Sequence, residues 1–173
     1  MTLQIRELQP ADAAQFQALR LQALIECPSA FASSYEEEHE TAIDVIAERL
    51  RSMPDRWILG AFDESRLIGI VGVQREEMLK LAHKAFIWGM YIDPPARQRG
   101  VGARLVSEAL GRAAHMNGVR QVNLGVNAAN VAAISLYESA GFERFGFERS
   151  FMLLDGVPQD ELMMVRFLTR AET

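Results

Sequence analysis

Apolar residues recur along this chain in blocks, and the period of each block names the element it predicts. Leu3 and Ile5 alternate at strand spacing ahead of Pro10. Phe16, Leu19, Ala23 and Leu24 then repeat at helical spacing to about Glu26, and Pro28 stops the helix. Residues 28–40 show no period and read as irregular. Thr41 and Asp44 match a capping box that opens a second helix running to about Ser52, before Pro54. Three apolar strands are predicted next, at 57–62, 67–73 and 85–92, the first two joined in a hairpin by the polar turn 63–66.

After Asp93-Pro94-Pro95 the period lengthens to that of a helix. Val101, Leu105, Ala109 and Ala113, flanked by Val106 and Leu110, make one apolar face that ends at Asn117-Gly118. Val122, Leu124 and Val126 alternate as a strand, a short helix at about 130–140 ends at Gly141, and strands at 142–153 and 158–168 are joined by the turn pair Asp155-Gly156. The result is seven strands and four helices in the order βααβββαβαββ, a mixed α/β sheet covered by helices. Neither a repeat nor a linker divides it, so 1–173 reads as one domain.

Composition sharpens this picture by exclusion. The 173 residues are 49% apolar and 24% charged, with room for a core that needs no staples. The lone Cys27 cannot form an internal bridge and no Cys/His cluster is present, which argues against a zinc site and for a reducing, cytoplasmic setting. The first ten residues lack the basic and apolar blocks of a leader, and no apolar run is long enough to span a membrane. A formal charge of −5 opposes nucleic-acid binding. Against that background Arg97, Arg99 and Arg104 cluster around Gly100 and Gly102.

That cluster carries chemistry. It follows a strand and opens a helix, where unpaired backbone N–H groups and the positive end of the macrodipole favour an anion. Two glycines let a phosphate reach the backbone, and the arginines add charge. The dinucleotide fingerprint fails, because Leu105 stands where its third glycine belongs and the following strand holds no acid for a ribose. The Walker pattern fails as well, since Val106 and Ser107 replace its Lys-Ser/Thr pair.

Arg97-x-x-Gly100-x-Gly102, after a strand ending Tyr91-Ile92-Asp93-Pro94, resembles the acetyl-CoA signature of the GNAT superfamily of N-acetyltransferases. A second segment, Asn130 through Tyr137 to Gly141-Phe142, is similar to that family's other hallmark. The resemblance implies a sheet splayed between its fourth and fifth strands and acetyl-CoA as co-substrate, without metal. It implies that backbone amides of Gln98, Arg99, Gly100, Val101, Gly102 and Ala103, with Arg97, bind the pyrophosphate. It further implies that Met90, Tyr91 and Ile92 offer backbone bonds to the pantetheine arm, that Asn130 contacts the cofactor, and that Tyr137 protonates the departing thiolate. The acceptor would be a primary amine of a small molecule or peptide, attacking directly, and a homodimer is compatible with the chain.

The residues also support plainer readings. Asn130 suits a helix N-cap, Asn127 a turn or cap, and Tyr137 the core. Cys27 reads as small packing, and His83 and His115 as surface residues. The positions where the family often carries a basic glutamate align with Phe86 and Gly125, so the base falls among Glu36, Glu37, Glu38 and His39, or Glu76 and Glu77. Tyr35 and Glu38 are the candidate acceptor contacts. The missing glutamates leave a rival reading, a non-catalytic module that binds or senses acyl-CoA.

Overall fold

The computed structural model describes residues 2–169. Seven strands form one sheet in the order β1-β2-β3-β4-β5-β7-β6. They are β1 (Leu3–Glu7), β2 (Arg56–Asp63), β3 (Arg66–Arg75), β4 (Lys84–Ile92), β5 (Gln121–Asn127), β6 (Glu143–Leu154) and β7 (Val157–Phe167). Every neighbouring pair is antiparallel except β4 and β5, which run parallel. Their connection is the helix α4 (Val101–His115), whose periodic face Val101, Leu105, Val106, Ala109 and Ala113 is fully buried against the sheet.

The inner strands are apolar on both sides, because both faces of the sheet are covered. Leu59, Val71, Val73, Ala85 and Val122 pack under α4, while Ile58, Phe62 and Ile70 face a second core. That second core holds Phe16, Leu19 and Ala23 of α1 (Ala13–Glu26) and Ile46 of α3 (Ile43–Arg49). α5 (Val131–Ser139) returns to the α4 side through Ile134 and Tyr137. On the far edge β6 leaves Phe145, Phe147 and Leu153 exposed.

Two local expectations are corrected. The segment expected to be irregular contains a 3₁₀ turn at Pro28–Ala30 and a four-residue helix α2 (Tyr35–Glu38). This makes five α-helices among the described residues where four are expected. The capping box lies at α2, where Ser34 accepts from the Glu37 N–H and the Glu37 carboxylate accepts from the Ser34 N–H. Thr41 and Asp44 form none. Asp44 Oδ1 instead accepts from the Val45 N–H, and α3 begins at Ile43 behind an uncapped Ala42 and stops at Arg49.

The sheet opens where the site lies. β4 and β5 are paired only at Lys84–Gln121, Ala85–Val122 and Phe86–Asn123, and beyond that they part. The parting coincides with an irregularity in β4, where Gly89 has φ +64° and the register to β3 shifts between Ile70 and Gly72. A positive φ of this kind is open to glycine at little steric cost. Asn127 holds the diverging end of β5. Its amide donates to Ser29 O (3.0 Å) and Gln159 Oε1 (3.2 Å), and its Oδ1 accepts from the Ala129 N–H.

Candidate active site

The split between β4 and β5 encloses a cleft of about 510 Å³. Backbone and side chains of Met90, Tyr91 and Ile92 form one wall, and Val126, Asn130 and Tyr137 the other. Its outer end is the loop before α4, where Arg97, Gln98, Gly100, Val101, Gly102 and Ala103 all reach the cavity. Arg99 does not line it.

The loop is built for close approach. Gln98 (φ +59°) and Gly100 (φ +78°) are both left-handed, and Gly100 is the N-cap of α4. The N–H groups of Val101, Gly102 and Ala103 open the helix, so they have no acceptor within it and remain available to an anion. Around Gly100 a Cβ would meet nothing, so its need for glycine is conformational. At Gly102 the reason differs: a Cβ would sit 3.2 Å from Leu136 Cδ2 and 3.5 Å from Met90 Cε, so glycine lets α4 approach both walls of the cleft.

A polar network anchors this end. Asp93, nearly fully buried, accepts from Gln22 Nε2 (3.0 Å) and pairs with Arg66, and its own N–H donates to Ile68 O. Tyr91 donates its hydroxyl to Glu26 (2.5 Å). Burial, and then that bond, hold the Tyr91 hydroxyl well above the usual phenol range, while the same bond lowers Glu26. Arg97 is turned back onto the scaffold, donating through Nε to Ile92 O (2.9 Å) with its guanidinium over the Tyr91 ring. Its charge borders the cleft from a fixed position.

Asn130 is both the N-cap and a wall of the cleft: its Oδ1 accepts from the Ala133 N–H (3.1 Å). Tyr137 is 6% exposed, packs edge-on to Phe142 and lines the same cavity. Burial pushes its hydroxyl up to about 12, so the phenol keeps its proton at neutral pH.

The cleft does not end at the sheet. A second cavity of about 300 Å³ opens on the α1 face and shares Phe31, Trp88, Gly89, Gly125 and Asn127 with the first. The two cavities adjoin at these shared residues. Arg20 stands at the rim of the second cavity, clamped by two bonds to Glu38 (2.8 and 3.0 Å) with its guanidinium over Phe31. Trp88 lies against the sheet because Gly72 has no side chain, where a Cβ would come within 2.2 Å of the indole.

The candidate acceptor contacts move. Tyr35 stacks on His39, and neither borders either cavity. Burial works against the Glu38 charge, but the Arg20 bonds outweigh it and keep the carboxylate ionised and occupied. Glu36 and Glu37 are exposed on α2, and Glu76 and Glu77 follow the opposite end of β3. The acids that do line the second cavity are Asp160 and Glu161 of β7. Phe151 joins them, carried inward by an irregularity in β6 around Ser150 (φ +53°), whose N–H donates to Asp160 Oδ1. These three arise from strand register, and no motif marks them.

A mixed sheet split between its parallel strands, with a helix-start loop at one mouth of the cleft, a buried phenol in its lining and an acid-lined cavity beside it, is the class of architecture the structure shows. Consistent with this class, residues 21–142 match the model of the acetyltransferase (GNAT) family, and the chain belongs to that family. It is 34% identical over 104 residues to the N-alpha-acetyltransferase RimI of Mycobacterium tuberculosis, covering 60% of this chain and 62% of that one. It is 29% identical over 126 residues to a mycothiol acetyltransferase of Salinispora tropica, covering 72% of this chain but 41% of the relative. The fold matches that of a GNAT superfamily phosphinothricin acetyltransferase from Sinorhizobium meliloti, solved in complex with acetyl-CoA, at a TM-score of 0.83 and 22% identity, covering 97% of this chain and 89% of that one.

Proposed function

We propose that residues 1–173 are a single N-acetyltransferase domain that moves an acetyl group from acetyl-CoA to a primary amine of a small molecule or peptide. The observation that supports this reading is the pair of adjoining cavities at the split in the sheet, which give two ligands separate places on either side of it. Acetyl-CoA suits the first cleft, because a long flexible arm needs a narrow slot with backbone partners and a diphosphate needs unpaired amides. Amides from Gln98 to Ala103 would hold the diphosphate. Backbone groups of Met90, Tyr91 and Ile92 that are left over from the pairing with β3 and from the Arg97 bond to Ile92 O would bond the arm, with one N–H near Ile92 stabilising charge on the thioester oxygen. Asn130 has its amide N–H₂ left for the cofactor once its oxygen caps α5.

Tyr137 would give its proton to the leaving sulfur. Burial keeps the phenol protonated at neutral pH, so its proton is present to give; because a thiol is the stronger acid, the transfer is uphill and is coupled to departure of the sulfur from the thioester carbon. The amine would arrive from the α1 side, between the aromatic walls Phe31, Trp88 and Phe151 and the acids of β7. A cytoplasmic setting fits the free Cys27, and among the described residues no helix is long and apolar enough to cross a membrane.

The test is release of free thiol from acetyl-CoA against a panel of acceptors: an alanine-initiated peptide, spermidine, kanamycin and free lysine. Saturable turnover with at least one supports the reading. Saturable acetyl-CoA binding with no thiol release above background would support the acyl-CoA sensing module instead.

A further inference from the structure

A protonated amine cannot attack a thioester, and neither strand position expected to hold a base carries one: Phe86 and Gly125 stand there. We propose that Glu161, on β7, takes the proton from the acceptor amine, and that Gly125 lacks a side chain because the Glu161 carboxylate occupies its place. This inference rests on the acetyltransferase reading above.

The geometry at Gly125 is the main evidence. A Cβ built there would lie 2.2 Å from Glu161 Oε1, 2.5 Å from its Cδ and 2.9 Å from Oε2. Ordinary carbon contacts are near 3.5–4.0 Å, so a side chain on β5 and this carboxylate would compete for one volume. Strand pairing explains the approach. Gly125 is opposite Met163 on β7, which makes Glu161, two residues along, its diagonal neighbour on the same face. Gly125 borders both cavities and Glu161 lines the second, so the carboxylate stands beside the residue at which the second cavity adjoins the cleft.

Glu161 is also available. Three nearby polar side chains are engaged elsewhere, Arg20 with Glu38, Asn127 with Ser29 and Gln159, and Asp160 with the Ser150 N–H, while the buried Trp88 indole N–H, on the same cavity, has no partner among the described residues. Among the described residues the Glu161 side chain has neither a hydrogen bond nor an ion pair. It faces Glu148, its cross-strand partner on β6, while β5 presents only the uncharged Gly125 and Asn127. Burial first, and repulsion from Glu148 second, raise its proton affinity above that of an ordinary glutamate. A half-buried carboxylate beside another acid costs stability, and such arrangements concentrate where chemistry needs them.

The proton accounting closes. One proton of the ammonium passes to Glu161, and the freed nitrogen lone pair forms the C–N bond as the C–S bond breaks with its electrons on sulfur. Tyr137 protonates that sulfur and is restored by the second nitrogen proton. Glu161 then releases its proton to solvent through the second cavity. Ammonium and thioester become amide, thiol and one proton.

Glu161→Gln preserves shape and removes the base. With acetyl-CoA and the best acceptor of the panel, kcat at neutral pH should fall about 100-fold or more, with KM for acetyl-CoA unchanged. The deficit should shrink as pH rises toward about 10, where the amine deprotonates unaided, a recovery that a purely structural defect would not show. Glu161→Ala combined with Gly125→Glu returns a carboxylate to the same volume from β5 and should recover part of the lost rate. A variant within about twofold of wild type at neutral pH, or a pH-independent loss without rescue, overturns the role of Glu161 and leaves the acetyltransferase reading standing. Wild-type protein that releases no thiol with any acceptor overturns both.

Discussion

Gly102→Val is the most informative single change at the cofactor mouth. A Cβ at this position already lies 3.2 Å from Leu136 Cδ2 and 3.5 Å from Met90 Cε. The two γ carbons of valine extend further into the cleft or force the first turn of α4 away from both walls. Either response moves the N–H groups of Val101, Gly102 and Ala103 relative to the diphosphate. Each hydrogen bond to a charged partner is worth about 1.5–3 kcal/mol, so losing one or two costs about 3 kcal/mol, or roughly a hundredfold in Kd for coenzyme A. Folding should weaken by at most about 2 kcal/mol, because the gain from replacing a helical glycine, up to about 1 kcal/mol, offsets part of the roughly 1–3 kcal/mol cost of overpacking against Leu136 and Met90. Isothermal calorimetry with coenzyme A, alongside thermal melting, separates the two effects. Gly100→Ala is the control: it meets open space at φ +78°, so it should lose about 1–2 kcal/mol of stability through backbone strain and less affinity than Gly102→Val. Coenzyme A binding to Gly102→Val within about threefold of wild type would refute the placement of the diphosphate on this turn.

Other substitutions test the remaining parts. Tyr137→Phe should lower kcat at least about tenfold with little change in the Kd of acetyl-CoA, and steady-state rates set against calorimetry will show whether the loss is catalytic. Glu161→Gln should raise Tm at neutral pH while lowering turnover. A carboxyl whose folded proton affinity is raised loses stability as pH rises through its folded pKa, so above that point the neutral amide is the better neighbour for Glu148. The opposite sign holds at Asp12, lowered chiefly by its bonds from Arg6. Its contribution is present in full above the ordinary aspartate value of about 4 and is lost as pH falls below it. Asp12→Asn should therefore destabilise the protein at neutral pH and flatten the acid limb of a melting-temperature profile.

The sequence shows most of what is set locally. The face of α4 is legible because a fifteen-residue amphipathic helix repeats its pattern four times over, and the glycine loop is legible because strand, turn residues and helix follow one another within a dozen positions. Tyr137 and Asn130 sit on one helix, and their spacing already places them together. The helix α2 is hidden for the converse reason: four residues are too few to show a period. The acceptor side is hidden more deeply. Glu161 reaches Gly125 only through the register of β5 on β7, and Phe151 reaches the second cavity only through the irregularity at Ser150. The run of acids at 36–38 looks the better candidate by composition, but Arg20 claims the one member that is half-buried.

The central claim is that acetyl-CoA threads the split between β4 and β5 to meet an amine from the far side. A crystal structure of the full chain with coenzyme A bound tests it most directly. The account predicts the diphosphate within about 3 Å of backbone nitrogens between Gln98 and Ala103, with the thiol in the cleft beside Tyr137. A diphosphate bound elsewhere, or an arm that leaves the split empty, would contradict it.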